Sequence, residues 1–98
     1  MDNTMNIIVR SYRNACRIVR QAEDHLIGIS EEELNTAILI KERIESEVHF
    51  LDEKHSVFIE NEVINGKTGN WYAQKMSPAT YYRNRKKAYS TFVENLKD

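Results

Sequence analysis

A chain of 98 residues, 41% of them hydrophobic, is expected to form a single domain spanning 1–98, with a modest core and no room for an elaborate active site. Its one cysteine excludes an intramolecular disulfide. No apolar run is long enough for a signal peptide or a membrane span, so a soluble, cytoplasmic protein without membrane contact is expected. One proline, three glycines and abundant Glu, Lys, Arg, Ile and Leu favour an all-α fold of about five helices.

The formal net charge of −1 conceals a segregation along the chain. Residues 23–62 hold twelve carboxylates against Lys41, Arg43 and Lys54, whereas residues 63–93 hold six cations and no acid. A polyanion would be attracted to the C-terminal third and repelled by the middle, so a binding surface should be local.

In chain order, Met5, Ile8, Val9, Tyr12, Ala15, Cys16, Val19, Ala22 and Leu26 recur at i, i+3, i+4, i+7 and predict a first helix, which Asp2 or Asn3 can cap. Arg10, Arg13, Arg17 and Arg20 fall off that stripe, either as a solvated face pairing with the acidic second helix or as DNA backbone contacts. Cys16 lies in the stripe and reads as core. Gly28 ends the helix, and Ser30-Glu31-Glu32-Glu33 starts the next with a capping-box pattern. Leu34, Ala37, Ile38, Ile44, Val48 and Leu51 form its apolar stripe, widened by Leu39 and Ile40. The short loop predicts an antiparallel helical hairpin over 1–50. Glu42, Glu45 and Glu47 read as a solvated face rather than catalytic carboxylates.

Asp52 caps a third helix through Val57, Phe58, Ile59, Val63 and Ile64, with a left-handed stop at Asn65-Gly66. Lys67 to Asn70 is a polar connector. Asn70 then caps a short helix over 71–75 whose Trp71 and Tyr72 wedge between neighbours. Ser77 is an N-cap and Pro78 suits a first helical position, so a long basic helix begins there. Tyr81, Ala88, Tyr89, Phe92 and Leu96 form its packing stripe; Thr80, Arg83, Asn84, Lys86 and Lys87 fall mainly on the other side. The order of helix, loop, short helix, turn and long basic helix is a helix-turn-helix layout over 51–98. The basic face suits a major groove, although an amphipathic core helix with a solvated face has the same pattern.

Leu51-Asp52-Glu53-Lys54-His55, Trp71-Tyr72-Ala73-Gln74-Lys75-Met76-Ser77, Thr80-Tyr81-Tyr82-Arg83 and Ala88-Tyr89-Ser90-Thr91-Phe92 together carry a resemblance. Residues 51–96, about half the chain, resemble small sigma-70 region 4-like helix-turn-helix regulators of phages and of low-GC Gram-positive bacteria or mollicutes, the ArpU and RinA type. Tyr72-Ala73 stands where such domains usually carry Ile-Ala. The resemblance implies transcription regulation through double-stranded DNA, with RNA polymerase or another protein as a further partner.

On this reading Ala79, Thr80, Tyr82 and Arg83 read bases in the major groove, and Lys75, Ser77, Asn84, Lys86 and Lys87 contact phosphates. Arg85, close to the packing stripe, is assigned to the acidic second helix. A homodimer through helices 1 and 2 would present paired half-sites. The alternative is a helical protein-interaction module, such as a phage accessory or anti-sigma-like factor, whose acidic middle binds a basic partner. No nucleophile-base pair, metal-ligand spacing or cofactor loop is present in the sequence, so no enzymatic activity, metal or cofactor is expected.

Overall fold

A computed structural model of the chain describes residues 3–24, 28–67 and 70–97. The protein is all-α. Its helices are α1 (Asn3–Glu23), α2 (Glu31–Phe50), α3 (Glu53–Ile59), which continues as a π-helical stretch (Glu60–Ile64), and α4 (Pro78–Lys97). No strand occurs among the described residues. Asp2, Leu26, Thr68 and Gly69, which the sequence reading used as a cap, a stripe residue and part of the connector, lie outside the described residues. The chain divides into two compact units, Met1–Ser46 and Glu47–Asp98, so the seam falls inside α2 rather than at its end.

In the first unit, Ala15 and Ile18 of α1 bury against Ala37 of α2, and Val19, Ile29, Leu34 and Ile40 pack around them half-buried. Nearer the start of α1, the Tyr12 hydroxyl donates to Glu45 Oε2 at 2.6 Å, and Lys41 Nζ lies 3.1 Å from the same oxygen. Going forward along α1 from Tyr12 to Ile18, the partner on α2 moves back from Glu45 to Ala37, which makes the pair an antiparallel hairpin. Burial and then the hydrogen bond to Glu45 push the Tyr12 phenol up, and the same carboxylate raises the Lys41 ammonium. At the loop, Gly28 takes a φ of +107°, a conformation L side chains avoid, and Ser30 Oγ accepts the Glu33 N–H at 3.0 Å to cap α2.

Two expectations for this hairpin need correction. Leu39 does not widen the packing stripe: it is 68% exposed, because two residues beyond Ala37 a helical side chain has turned about 200° away. Ile18, omitted from the α1 stripe, is buried. The four arginines of α1 are exposed, and Arg17 turns to the Asn14 side chain on its own helix.

The second unit opens on the last turn of α2, where Glu47 is only 8% exposed and so is no part of a solvated acidic face. Asp52 caps α3 by accepting the His55 N–H at 2.9 Å. The expected single helix to residue 64 then widens. Its π-helical turn is closed by the Asn65 N–H on the Glu60 carbonyl at 2.9 Å, and the Asn61 amide donates to the Val57 carbonyl at 2.7 Å. Gly66 at φ +64° stops the chain, with the Lys67 N–H reaching back to the Asn61 carbonyl at 2.8 Å.

Residues 70–76 form hydrogen-bonded turns instead of the expected short helix. The bonds run from Ala73 to Asn70 and from both Lys75 and Met76 to Tyr72. The physical reason is the pair Trp71-Tyr72: both rings turn inward, and a regular helix would splay adjacent side chains about 100° apart. Trp71 and Tyr72 pack with Phe58 of α3 and with Tyr81 and Ala88 of α4. The Tyr72 and Tyr81 rings stack, with centroids 3.6 Å apart, and Trp71 meets Tyr81 edge-on at 5.9 Å. Phe58, Ile59, Val63, Ala88 and Phe92 are all but inaccessible.

Candidate nucleic-acid interface

The position of α4 is set at its start and along its back. At the start, Ser77 Oγ accepts the Thr80 N–H at 3.3 Å and bonds the Thr80 hydroxyl at 3.0 Å, while the Ser77 carbonyl takes the first helical N–H, from Tyr81, at 2.9 Å. Pro78 follows, a residue whose missing N–H would have had no helical partner.

Along the back, one carboxylate from the π-helical stretch gathers four donors. Glu62 Oε1 accepts from Arg85 Nε at 2.8 Å and from the Tyr89 hydroxyl, and Oε2 accepts from Trp71 Nε1 at 2.9 Å and from the Tyr81 hydroxyl. Its side chain is 9% exposed. Burial alone would raise its pKa, but the hydrogen bonds from Tyr81, Tyr89, Arg85 and Trp71 outweigh that and hold the carboxyl below its ordinary range. The same contacts work in the opposite direction on its partners. Burial and then Glu62 push the Tyr81 and Tyr89 phenols up, and the carboxylate outweighs burial to raise the Arg85 guanidinium, which also lies 4.3 Å over the Tyr89 ring. Arg85 therefore pairs with Glu62, not with the acidic second helix, and is occupied in holding α4.

The front of α4 is different in kind. Ala79, Tyr82, Arg83, Lys86 and Lys87 follow one another at helical spacing on one exposed face, and none of these three cations forms an ion pair within the second unit among the described residues. Tyr82 is 62% exposed, with its ring against the edge of Tyr81 at 4.9 Å. Thr80 and Asn84 sit half-buried on the flank of that face, and Lys75 and Ser77 are exposed just before the helix. Of the nine residues singled out in the sequence, five therefore share one surface, two border it, and two precede it. The Ser77 and Thr80 hydroxyls are already engaged with each other.

Three further residues join this face. His55 of α3 and Ser90 and Thr91 of α4 line an open groove of about 500 Å³ together with Arg83, Lys86 and Lys87. Ser90 could have been found by extending the exposed periodicity of α4, from Arg83 through Lys86 or Lys87, by one more turn. His55 comes from another helix, and no spacing rule reaches it.

Electrostatically, the face presents positive charge, and the buried Glu62 is engaged on the opposite side of α4. Such a surface can take an anion by charge-assisted hydrogen bonds, bidentate from Arg83 and single from the lysines. Comparison with known proteins finds no similar protein family, no similar curated protein and no similar solved structure. Among the described residues no helix is long and apolar enough to cross a membrane.

Proposed function

We propose that the protein binds double-stranded DNA through the front of α4 and acts as a transcription regulator of the sigma-70 region 4-like kind, with the turns at 70–76 standing where the short helix of a helix-turn-helix layout was expected. The observation that carries this reading is the separation of roles on α4. Its back is fixed by Glu62 and the aromatic cluster, and its front holds Arg83, Lys86 and Lys87 exposed on one face. A helix fixed along its back with an exposed basic front suits a major groove, which admits one α-helix, with Ala79, Thr80, Tyr82 and Arg83 near base edges and Lys86 and Lys87 on phosphates. Fluorescence anisotropy with a labelled duplex of random sequence tests it. Binding should be measurable at about 50 mM salt and weaken steeply as salt rises, as counterion release requires. Absence of binding at the low-salt end removes the reading.

A second reading has its own observation. In the first unit a groove of about 370 Å³ has an apolar floor of Ala15, Ile18, Ala37 and Ile40 under Glu32 and Glu33, which suits a basic, amphipathic protein partner. A two-fold pairing through the hairpin belongs to the same unit, where Ile7 and Leu39 are large apolar side chains left exposed. Sedimentation equilibrium at micromolar concentration should then give a dimer mass, and a monomer mass with and without duplex excludes it.

A further inference from the structure

We infer that the groove between the start of α3 and the middle of α4 seats the phosphodiester backbone of the bound strand, with His55 as a contact that takes up a proton on binding. The inference rests on the DNA reading above. The groove is lined by three cations, Arg83, Lys86 and Lys87, by two hydroxyls, Ser90 and Thr91, and by the His55 imidazole, with no carboxylate in the lining. Cations and hydroxyl donors are what a phosphate oxygen needs, and a groove about 500 Å³ in volume suits a length of backbone rather than a single ion.

His55 is held in place from its own helix. Its Nδ1 lies 3.3 Å from Asp52 Oδ1, the same oxygen that accepts its backbone N–H at 2.9 Å. That arrangement orients the ring by one nitrogen and leaves the other uncommitted to the capping carboxylate. The charged groups around the ring are Asp52 and the exposed Glu53 and Lys54 on the α3 side, and Arg83, Lys86 and Lys87 on the α4 side. A phosphate seated beside the ring adds an anion that favours the charged imidazolium and accepts a hydrogen bond from it. Strand binding and protonation of His55 therefore favour each other, and the coupling is reciprocal. The sign follows: affinity for DNA rises on acidification.

The test uses the full chain and the labelled random duplex, with salt titrations at about pH 7.5 and about pH 5.5, on either side of the imidazole range. In the wild type the logarithmic salt slope should steepen on acidification by nearly 1, because one added cation releases about 0.9 counterion from B-DNA. In His55→Gln the slope should be the same at both pH values. Lys87→Gln, chosen in case the histidine variant folds poorly, should lower the slope by nearly 1 at both pH values and leave the acid-induced steepening intact. Tripolyphosphate should displace the duplex from the wild type. Duplex binding with the same pH response in wild type and His55→Gln overturns the inference and leaves the DNA reading standing. Tripolyphosphate binding without duplex binding overturns both the strand assignment and the DNA reading, as does binding of neither.

Discussion

A carboxylate offers about four acceptor positions, and Glu62 fills them with two donors at each oxygen. Removing it strands a half-buried guanidinium and three other donors together, so Glu62→Ala should cost about 3–5 kcal/mol in a urea titration, the range for losing one partner of a buried ion pair. Glu62→Gln keeps the shape but points an amide at donors, and should recover only part of that stability. The network also sets a pH dependence. The folded carboxyl titrates below its unfolded value, so its contribution is complete above about pH 5 and is lost as pH falls through the folded value. Acidification below that point should therefore lower the urea midpoint of the wild type, with a smaller fall in Glu62→Gln. Equal falls would mean that other carboxylates dominate.

At the scale of elements, caps and stops are where sequence chemistry most directly became structure. Ser77→Ala should cost about 1 kcal/mol by removing the acceptor for the Thr80 N–H. Gly66→Ala should cost about 1–2 kcal/mol, because φ there is left-handed. Phe92, fully buried on α4, should cost more when truncated, roughly 3–5 kcal/mol for Phe92→Ala. Denaturant midpoints check all three, and a neutral Ser77→Ala would show that α4 does not depend on that cap. Helix starts at Ser30, Asp52 and Ser77 were legible because a capping side chain, a following polar turn and an apolar period agree. The turns at 70–76 were not, because Asn70 looks like a cap whether or not a helix follows it. Nor was the π-helical widening, which depends on Asn61 reaching Val57 and Glu62 facing α4. A signal for Glu62 did exist: Tyr81, Arg85 and Tyr89, at i, i+4 and i+8, put three hydrogen-bond donors along the packing side of one helix. A buried row of donors calls for a buried acceptor, and an acid near an aromatic cluster is the obvious candidate.

Across the whole molecule, binding through α4 must be local, because residues 23–62 carry most of the acid and residues 63–93 none. Two roles on that helix can then be separated. Lys86 and Lys87 are exposed, so replacing both with Ala should leave the urea midpoint nearly unchanged. If both contact phosphates, the double variant should weaken binding to every duplex alike and cut the magnitude of the logarithmic salt slope by up to about 2, at nearly 1 for each lost contact. Arg83 lies one turn nearer the start of α4, beside Ala79 and Tyr82, where a guanidinium can address a guanine edge. On a preferred site, Arg83→Ala should cost roughly 1–3 kcal/mol, and on random duplex much less. The comparison needs a selected sequence, which repeated enrichment from a random duplex pool supplies. Equal losses for Arg83→Ala on selected and random duplex would make Arg83 one more phosphate contact, and base readout would then have to come from Ala79, Thr80 and Tyr82 alone.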